Sequence, residues 1–120
     1  CSATGTIRRH PEILHLKSQD DVERAVVVQD QLLDAAATML APGGILVFAT
    51  CSLQPEEGLE RVENLLARRP ELERSSLLPK EREFFGPFLN EQGDLRTLPA
   101  HLAEEGGMDG FYAARLKRKR

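Results

Sequence analysis

Apolar residues recur at three- and four-residue steps between positions 22 and 40, which is the spacing of a long helix with one buried face. Ser18 is followed three residues later by Asp21 and could cap the start of this helix, and Pro42-Gly43-Gly44 predicts its end. One polar residue interrupts the series, whose members are Val22, Ala25, Val26, Gln29, Leu32, Leu33, Ala36, Met39 and Leu40.

A continuous apolar run, Ile45–Ala49, follows the Gly-rich turn and predicts a strand that is buried on both faces. Pro55 suits the first position of a second helix, where Glu56 and Glu57 would lie near the positive end of the helix dipole. Pro70 would end this helix. Its apolar side is predicted to consist of Leu59, Val62, Leu65 and Leu66.

The succession of helix, buried strand and helix predicts an α/β fold, in which helices cover parallel strands. Residues 1–17 are expected to form a loop, and the weakly patterned residues 71–92 a loop or a short helical excursion. Two short segments, Leu95–Leu98 and Gly110–Leu116, are predicted to be strands that pair antiparallel at an edge of the same sheet.

The composition narrows the class of protein. A chain of 120 residues fits one domain or part of one, and it contains no apolar run long enough to cross a bilayer. The net charge of −3 argues against a dedicated nucleic-acid-binding domain, so any basic surface must be local. Two clusters qualify: Arg8-Arg9-His10, and a terminal cluster of Arg115, Lys117, Arg118, Lys119 and Arg120.

Cys51 directly follows the predicted buried strand and Thr50, and such a position lies in the crevice where open α/β sheets place their ligands. A helix begins a few residues after Cys51, so the backbone N–H groups at the start of that helix could favour the thiolate form of Cys51. The alternative is a buried structural cysteine, which the local sequence by itself favours. With two cysteines in all, no disulfide framework is indicated, and a reducing, cytoplasmic compartment is expected.

Several segments together resemble the Sun/Fmu-type family of ribosomal RNA 5-methylcytosine methyltransferases, which is related to the nucleolar Nol-type enzymes. The resemblance spans nearly the whole chain in the same order, and the block that ends in Thr50-Cys51-Ser52 is specific. The matching segments are Cys1-Ser2-Ala3-Thr4-Gly5, Arg8-Arg9-His10-Pro11, Gln31-Leu32-Leu33, Pro42 to Ser52, Pro55-Glu56-Glu57, and Gly107 to Ala114.

The resemblance implies a Rossmann-like fold and a reaction that uses S-adenosylmethionine. In this family the cysteine of the Thr-Cys motif bonds to the cytosine, and the cysteine of the Pro-Cys motif assists product release. Carried over by position, Cys51 is the nucleophile and Cys1 the release residue. The DNA cytosine-5 enzymes use the Pro-Cys cysteine as nucleophile, so these roles rest on the RNA-family resemblance.

Other parts of the family pattern are not found in the sequence. The Gly-rich loop that would hold the methionine part of the cofactor and the acidic residue for its ribose cannot be assigned. Residues 1–120 are therefore expected to be the C-terminal portion of the catalytic domain, with an incomplete S-adenosylmethionine site. By themselves they are expected to be inactive and prone to self-association through exposed apolar surface.

Arg8 and Arg9 follow the Pro-Cys position, near where the target nucleotide would enter, and are predicted to contact RNA phosphates. A solvated turn would account for the same residues equally well. His15 and His101 have no partners at metal-ligand spacing, so no metal site is predicted.

Two other interpretations remain open at this point. The chain could be a non-catalytic RNA-binding or assembly module that keeps the fold of such an enzyme, although both cysteines are present. Alternatively, Cys1 could be the lipidated residue of a mature lipoprotein, an interpretation that no secretory signal supports.

Overall fold

The computed structural model describes residues 1–120 and contains a four-stranded sheet with helices packed against it. The 3-10 turns include Thr4–Thr6, near the chain start, and Pro55–Glu57, between the first strand and the following helix. In chain order the helices and strands are α1 (Ile13–Leu16), α2 (Gln19–Met39), β1 (Ile45–Thr50), α3 (Leu59–Arg68), β2 (Leu72–Arg74), α4 (Pro79–Phe85), β3 (Leu95–Thr97) and β4 (Phe111–Arg118).

Helix α2 confirms the predicted long helix and its cap. The Ser18 hydroxyl accepts from the Asp21 backbone N–H, and the Asp21 carboxylate accepts from the Ser18 backbone N–H at 2.9 Å. Only part of the predicted face is buried, because Leu32 is 65% exposed and Met39 is 85% exposed. The buried residues of α2 are Val22, Gln29, Leu33 and Ala37.

Strand β4 organises the sheet, because β1, β2 and β3 all pair with it in the antiparallel direction. Its pairing with β3 confirms the predicted antiparallel pair. The prediction that this pair forms an edge was wrong for β4, which lies between β1 on one side and β2 and β3 on the other. Strand β2 was not predicted, since three residues are too few to show a strand period.

The prediction that β1 is buried on both faces was wrong within this chain. Leu46 and Phe48 pack against the core, whereas Ile45 is 49% exposed and Val47 60% exposed. Successive strand side chains point to opposite faces, and here the helices cover only the face of Leu46 and Phe48. A continuous apolar run suits burial on both faces but cannot show whether a neighbour covers each one.

The core lies between α2, α3 and the sheet. Eight buried residues form it: Leu33, Ala37, Val62, Leu65, Leu72, Tyr112, Ala114 and Leu116. Tyr112 brings a polar group into this core, and its hydroxyl donates to Asp94 at 2.5 Å. Burial and the neighbouring carboxylate both raise the pKa of Tyr112, so the phenol stays neutral. None of the helices is long and apolar enough to cross a membrane.

Truncation of the core is expected to be costly at Leu65, which is 0% exposed on α3. Leu65→Ala should lower the free energy of unfolding by about 2–5 kcal/mol, since it removes buried contacts and leaves a cavity. Urea unfolding of the purified protein measures this change. Glu60→Ala on the exposed side of the same helix is the matched control and should change stability by less than about 0.5 kcal/mol.

Candidate active site

The two cysteines lie side by side although 50 residues separate them in sequence. The Sγ atoms of Cys1 and Cys51 are 3.4 Å apart, close enough for one thiol to donate a hydrogen bond to the other. Cys1 is exposed and Cys51 is half-buried, and both are free thiols. A cysteine packed in a core would have no access to solvent, whereas both of these thiols have some.

Direct backbone contact joins the loops that carry these thiols. The Gly5 N–H donates to the Cys51 carbonyl at 2.7 Å, and the Gly110 N–H donates to the Gly5 carbonyl at 2.7 Å. A Cβ on Gly5 would lie 1.9 Å from the Gly110 carbonyl oxygen and 2.4 Å from that of Cys51. Three chain segments therefore meet where only glycine fits.

Glu57 lies in the 3-10 turn just before α3, and its contacts go beyond the predicted proximity to the start of the helix. Its carboxylate is 0% exposed and accepts hydrogen bonds from Ser2, Ser52 and Gln29. Burial raises the pKa of Glu57, but the hydrogen bonds outweigh burial and leave this pKa below its usual value. The Pro55-Glu56-Glu57 block draws attention to Glu57, but no local pattern in the sequence indicates which residues its carboxylate contacts.

Both cysteines line a groove of about 550 Å³ that runs between α2 and β1. Its walls are mainly apolar, with Gln29 and Thr50 among the polar residues. The side-chain oxygen of Gln29 is buried and has no hydrogen-bond partner. A second groove, of about 530 Å³, lies on the side of β2 and α4 and contains neither cysteine.

Arg8 and Arg9, the predicted RNA contacts, both bind the carboxylate of Asp109. Arg9 does so with two hydrogen bonds, of 3.1 and 2.6 Å, and Arg8 with an ion pair of 3.0 Å. The hydrogen bond from Arg9 is the main cause that holds the pKa of Asp109 below its ordinary value. Asp109 raises the pKa of Arg9 in turn, and Cys51 adds a smaller electrostatic contribution. Both arginines remain partly exposed.

Several other residues of the two basic clusters have structural partners. His10 contacts Glu12 at 3.2 Å rather than the thiols. In the terminal cluster, Arg115 pairs with Glu81 at 3.0 Å, and Arg118 donates to the Leu40 carbonyl at 2.5 Å. The terminal cluster is therefore at least partly bound to the fold rather than free as a tail.

The groove that contains the thiols offers only two polar side chains, those of Gln29 and Thr50, to a cofactor such as S-adenosylmethionine. The groove beside the thiols is mainly apolar and contains no carboxylate that could bind a ribose. The unpaired Gln29 oxygen is one buried acceptor in its wall. This groove thus supplies a thiol pair and few polar contacts for a cofactor.

Comparison with known proteins gives consistent matches over almost the entire chain. The family described as 16S rRNA methyltransferase RsmB/F matches residues 1–117. Ribosomal RNA small subunit methyltransferase B of Pasteurella multocida is 39% identical over 98% of this chain. The protein of the same name from Thermus thermophilus is also 39% identical over 98% of it. The chain covers only 24% and 27% of these two relatives, about a quarter of their length.

Solved structures show the same fold. The crystal structure of PH0851 matches 98% of the chain with a TM-score of 0.81 and 28% identity, and the chain covers 25% of it. NSun6 from Pyrococcus horikoshii with SFG matches the whole chain with a TM-score of 0.74, and the chain covers 28% of it. At 23% identity the second match supports the fold alone. The predicted α/β fold of Rossmann-like methyltransferases is thereby confirmed.

The short distance between the two sulfurs predicts ready cross-linking under mild oxidation. Diamide should accept two electrons and two protons from the thiols of Cys1 and Cys51 and leave a disulfide, which dithiothreitol should reverse. Peptide mass mapping under non-reducing conditions detects the linked peptides. Cys1→Ser is the control and should give no link, and persistent free thiols in the unsubstituted protein would contradict the observed geometry.

Proposed function

The chain belongs to the RsmB/F family of 16S rRNA methyltransferases, and on that premise we propose that it is part of an enzyme that methylates carbon-5 of a cytosine in ribosomal RNA. The observation that supports this reaction best is the thiol pair at the end of β1, where Cys51 lines the groove and Cys1 lies 3.4 Å away. The methyl donor in this proposal is S-adenosylmethionine, as membership of a methyltransferase family implies.

In the proposed reaction Cys51 is the nucleophile. Carbon-5 of cytosine is a poor nucleophile, and a bond from the Cys51 sulfur to carbon-6 raises the electron density at carbon-5. S-adenosylmethionine supplies the methyl group when bound and is left as S-adenosylhomocysteine. The methylated carbon-5 then loses its proton to a base, the bond between sulfur and carbon-6 breaks, and Cys51 leaves as a thiolate. The two electrons of that bond return to sulfur, so no oxidant is needed.

Cys1 assists the release step in this proposal. Its sulfur is in contact with that of Cys51 and is the more exposed of the two. A thiol in this position can give a proton to, or take one from, the reacting nucleotide or Cys51 while the bond between Cys51 and the base is broken. The roles are assigned by family resemblance, and the contact between the sulfurs supports their acting on the same nucleotide.

Arg8 and Arg9 are proposed to contact RNA phosphates at the entrance to this site. Of the Arg8 and Arg9 side chains, 38% and 51% of the surface is accessible, and Arg9 is near enough to Cys51 to interact with it electrostatically. Asp109 orients them, and a guanidinium has donors left for a phosphate after it has bound one carboxylate.

We propose further that residues 1–120 are the C-terminal portion of a longer, cytoplasmic catalytic domain. The chain covers about a quarter of its named relatives, and β1 has one edge without a partner strand. A preceding segment would supply the cofactor contacts and cover the exposed side of β1. Residues 1–120 by themselves are expected to bind no S-adenosylmethionine and to have no turnover.

Mechanism-based trapping tests the covalent step. The complete gene product that contains this chain should form a denaturation-resistant adduct with RNA bearing 5-azacytidine, because the nitrogen at position 5 of this base carries no hydrogen whose loss could release the enzyme. Cys51→Ser should abolish the adduct, and Cys1→Ser should still form it. Gel mobility after denaturation measures it. An adduct that survives Cys51→Ser would refute the assignment of the nucleophile, and no adduct from the unsubstituted protein would favour a non-catalytic RNA-binding module.

The salt dependence of RNA binding tests the role of the arginines. In the same protein, Arg8→Ala and Arg9→Ala should each weaken binding and lower the slope of log K against log salt by about 0.7, as expected for one phosphate contact on single-stranded RNA. Arg24→Ala is the matched control, because this exposed arginine pairs with Asp21 on α2. Slopes equal to that of the control would show that Arg8 and Arg9 only hold Asp109.

A further inference from the structure

We propose that Glu57 is the positioning residue of the thiol pair, because its buried carboxylate binds the residues that immediately follow Cys1 and Cys51. The inference deepens the proposed function and rests on it. Ser2 and Ser52 are the two following residues, so one side chain holds both cysteine-bearing loops.

Both oxygens of the Glu57 carboxylate are fully used. One oxygen, Oε1, accepts from the Ser2 backbone N–H at 2.8 Å and from the Gln29 amide at 3.2 Å. The other, Oε2, accepts from the Ser2 hydroxyl at 2.5 Å and from the Ser52 hydroxyl. Hydrogen bonds to a buried charge are stronger than neutral ones and have narrow geometry, so the carboxylate fixes its donors firmly.

The hydroxyl of Ser52 is oriented by this contact. Since an ionised carboxylate only accepts, the Ser52 proton points at Glu57 and its lone pairs are left to accept from the Gln54 backbone N–H at 3.0 Å. The Arg96 guanidinium donates a hydrogen bond to the Ser52 carbonyl at 2.9 Å. The turn after Cys51 is therefore fixed at its side chain and at its backbone.

The loop after Cys1 depends on the carboxylate even more, since it has no regular structure before the 3-10 turn at Thr4. Ala3 has a φ of 57°, in the left-handed region that residues with a Cβ rarely adopt. Ser2 precedes it and is bound to Glu57 through both its backbone and its side chain. Without these two bonds the segment could relax and carry Cys1 away from Cys51.

A purely structural role for Glu57 would stabilise the fold without setting the distance between the two sulfurs. The test must therefore measure how closely the sulfurs approach each other. In the complete gene product, the rate of diamide cross-linking between Cys1 and Cys51 reports their approach without requiring methyltransferase activity. Glu57→Ala should slow cross-linking by roughly tenfold or more, and should lower kcat for methyl transfer by about 100-fold while KM changes little. Glu60→Ala, exposed on the following helix, is the control and should leave all three unchanged.

A conservative variant separates shape from charge. Glu57→Gln keeps one acceptor for the Ser2 backbone and Gln29, and the two serine hydroxyls can rotate to accept from its amide group. It should therefore cross-link several-fold faster than Glu57→Ala. Recovery of this kind is expected of a residue that positions the loops through its hydrogen bonds.

Each outcome of the cross-linking measurement either supports or overturns the positioning role of Glu57. Cross-linking at the unsubstituted rate in folded Glu57→Ala would overturn it. If that variant does not fold, the double variant Ser2→Ala and Ser52→Ala replaces it, and unchanged cross-linking there would also overturn it. Slowed cross-linking together with no RNA adduct from the unsubstituted protein would support the positioning role and refute the proposed function.

Discussion

The candidate site depends on one buried carboxylate. A charge removed from water costs several kcal/mol unless hydrogen bonds replace its hydration, and the Glu57 carboxylate obtains them from Ser2, Ser52 and Gln29. These donors come from the chain start, the turn after β1 and the middle of α2. Burial of Glu57 is thus compatible only with an arrangement in which these three segments converge, and that arrangement brings the sulfurs into contact.

The sheet and the glycines make this convergence possible. Strand β4 pairs along the full length of β1 and places Gly110, just before its first residue, beside the loop after Cys1. Gly5 and Gly110 then allow backbones to approach more closely than any side chain would permit. The strand order thus determines where the Thr50-Cys51-Ser52 turn lies, and the glycines determine how near the other loops can come.

The same contact between segments also positions Asp109 and the two arginines that it binds. Asp109 lies one residue before Gly110 and binds Arg8 and Arg9, so the segment that packs on the loop also orients its two cations. Parts of both arginine side chains stay exposed after they have bound Asp109. A net-negative chain can in this way keep a small basic surface.

The sequence by itself determined the long helix α2, the strand β1 and the family. Local neighbours along the chain account for the periodicity of α2, its Ser18 cap and the apolar run of β1. The ordered motifs around Cys51 are sufficient to identify the family. Tertiary structure decided the rest. The exposure of Val47, the position of β4 between its partners and the contacts of Glu57 depend on residues distant in sequence, and no local pattern specifies which distant group will supply a hydrogen bond or cover a face.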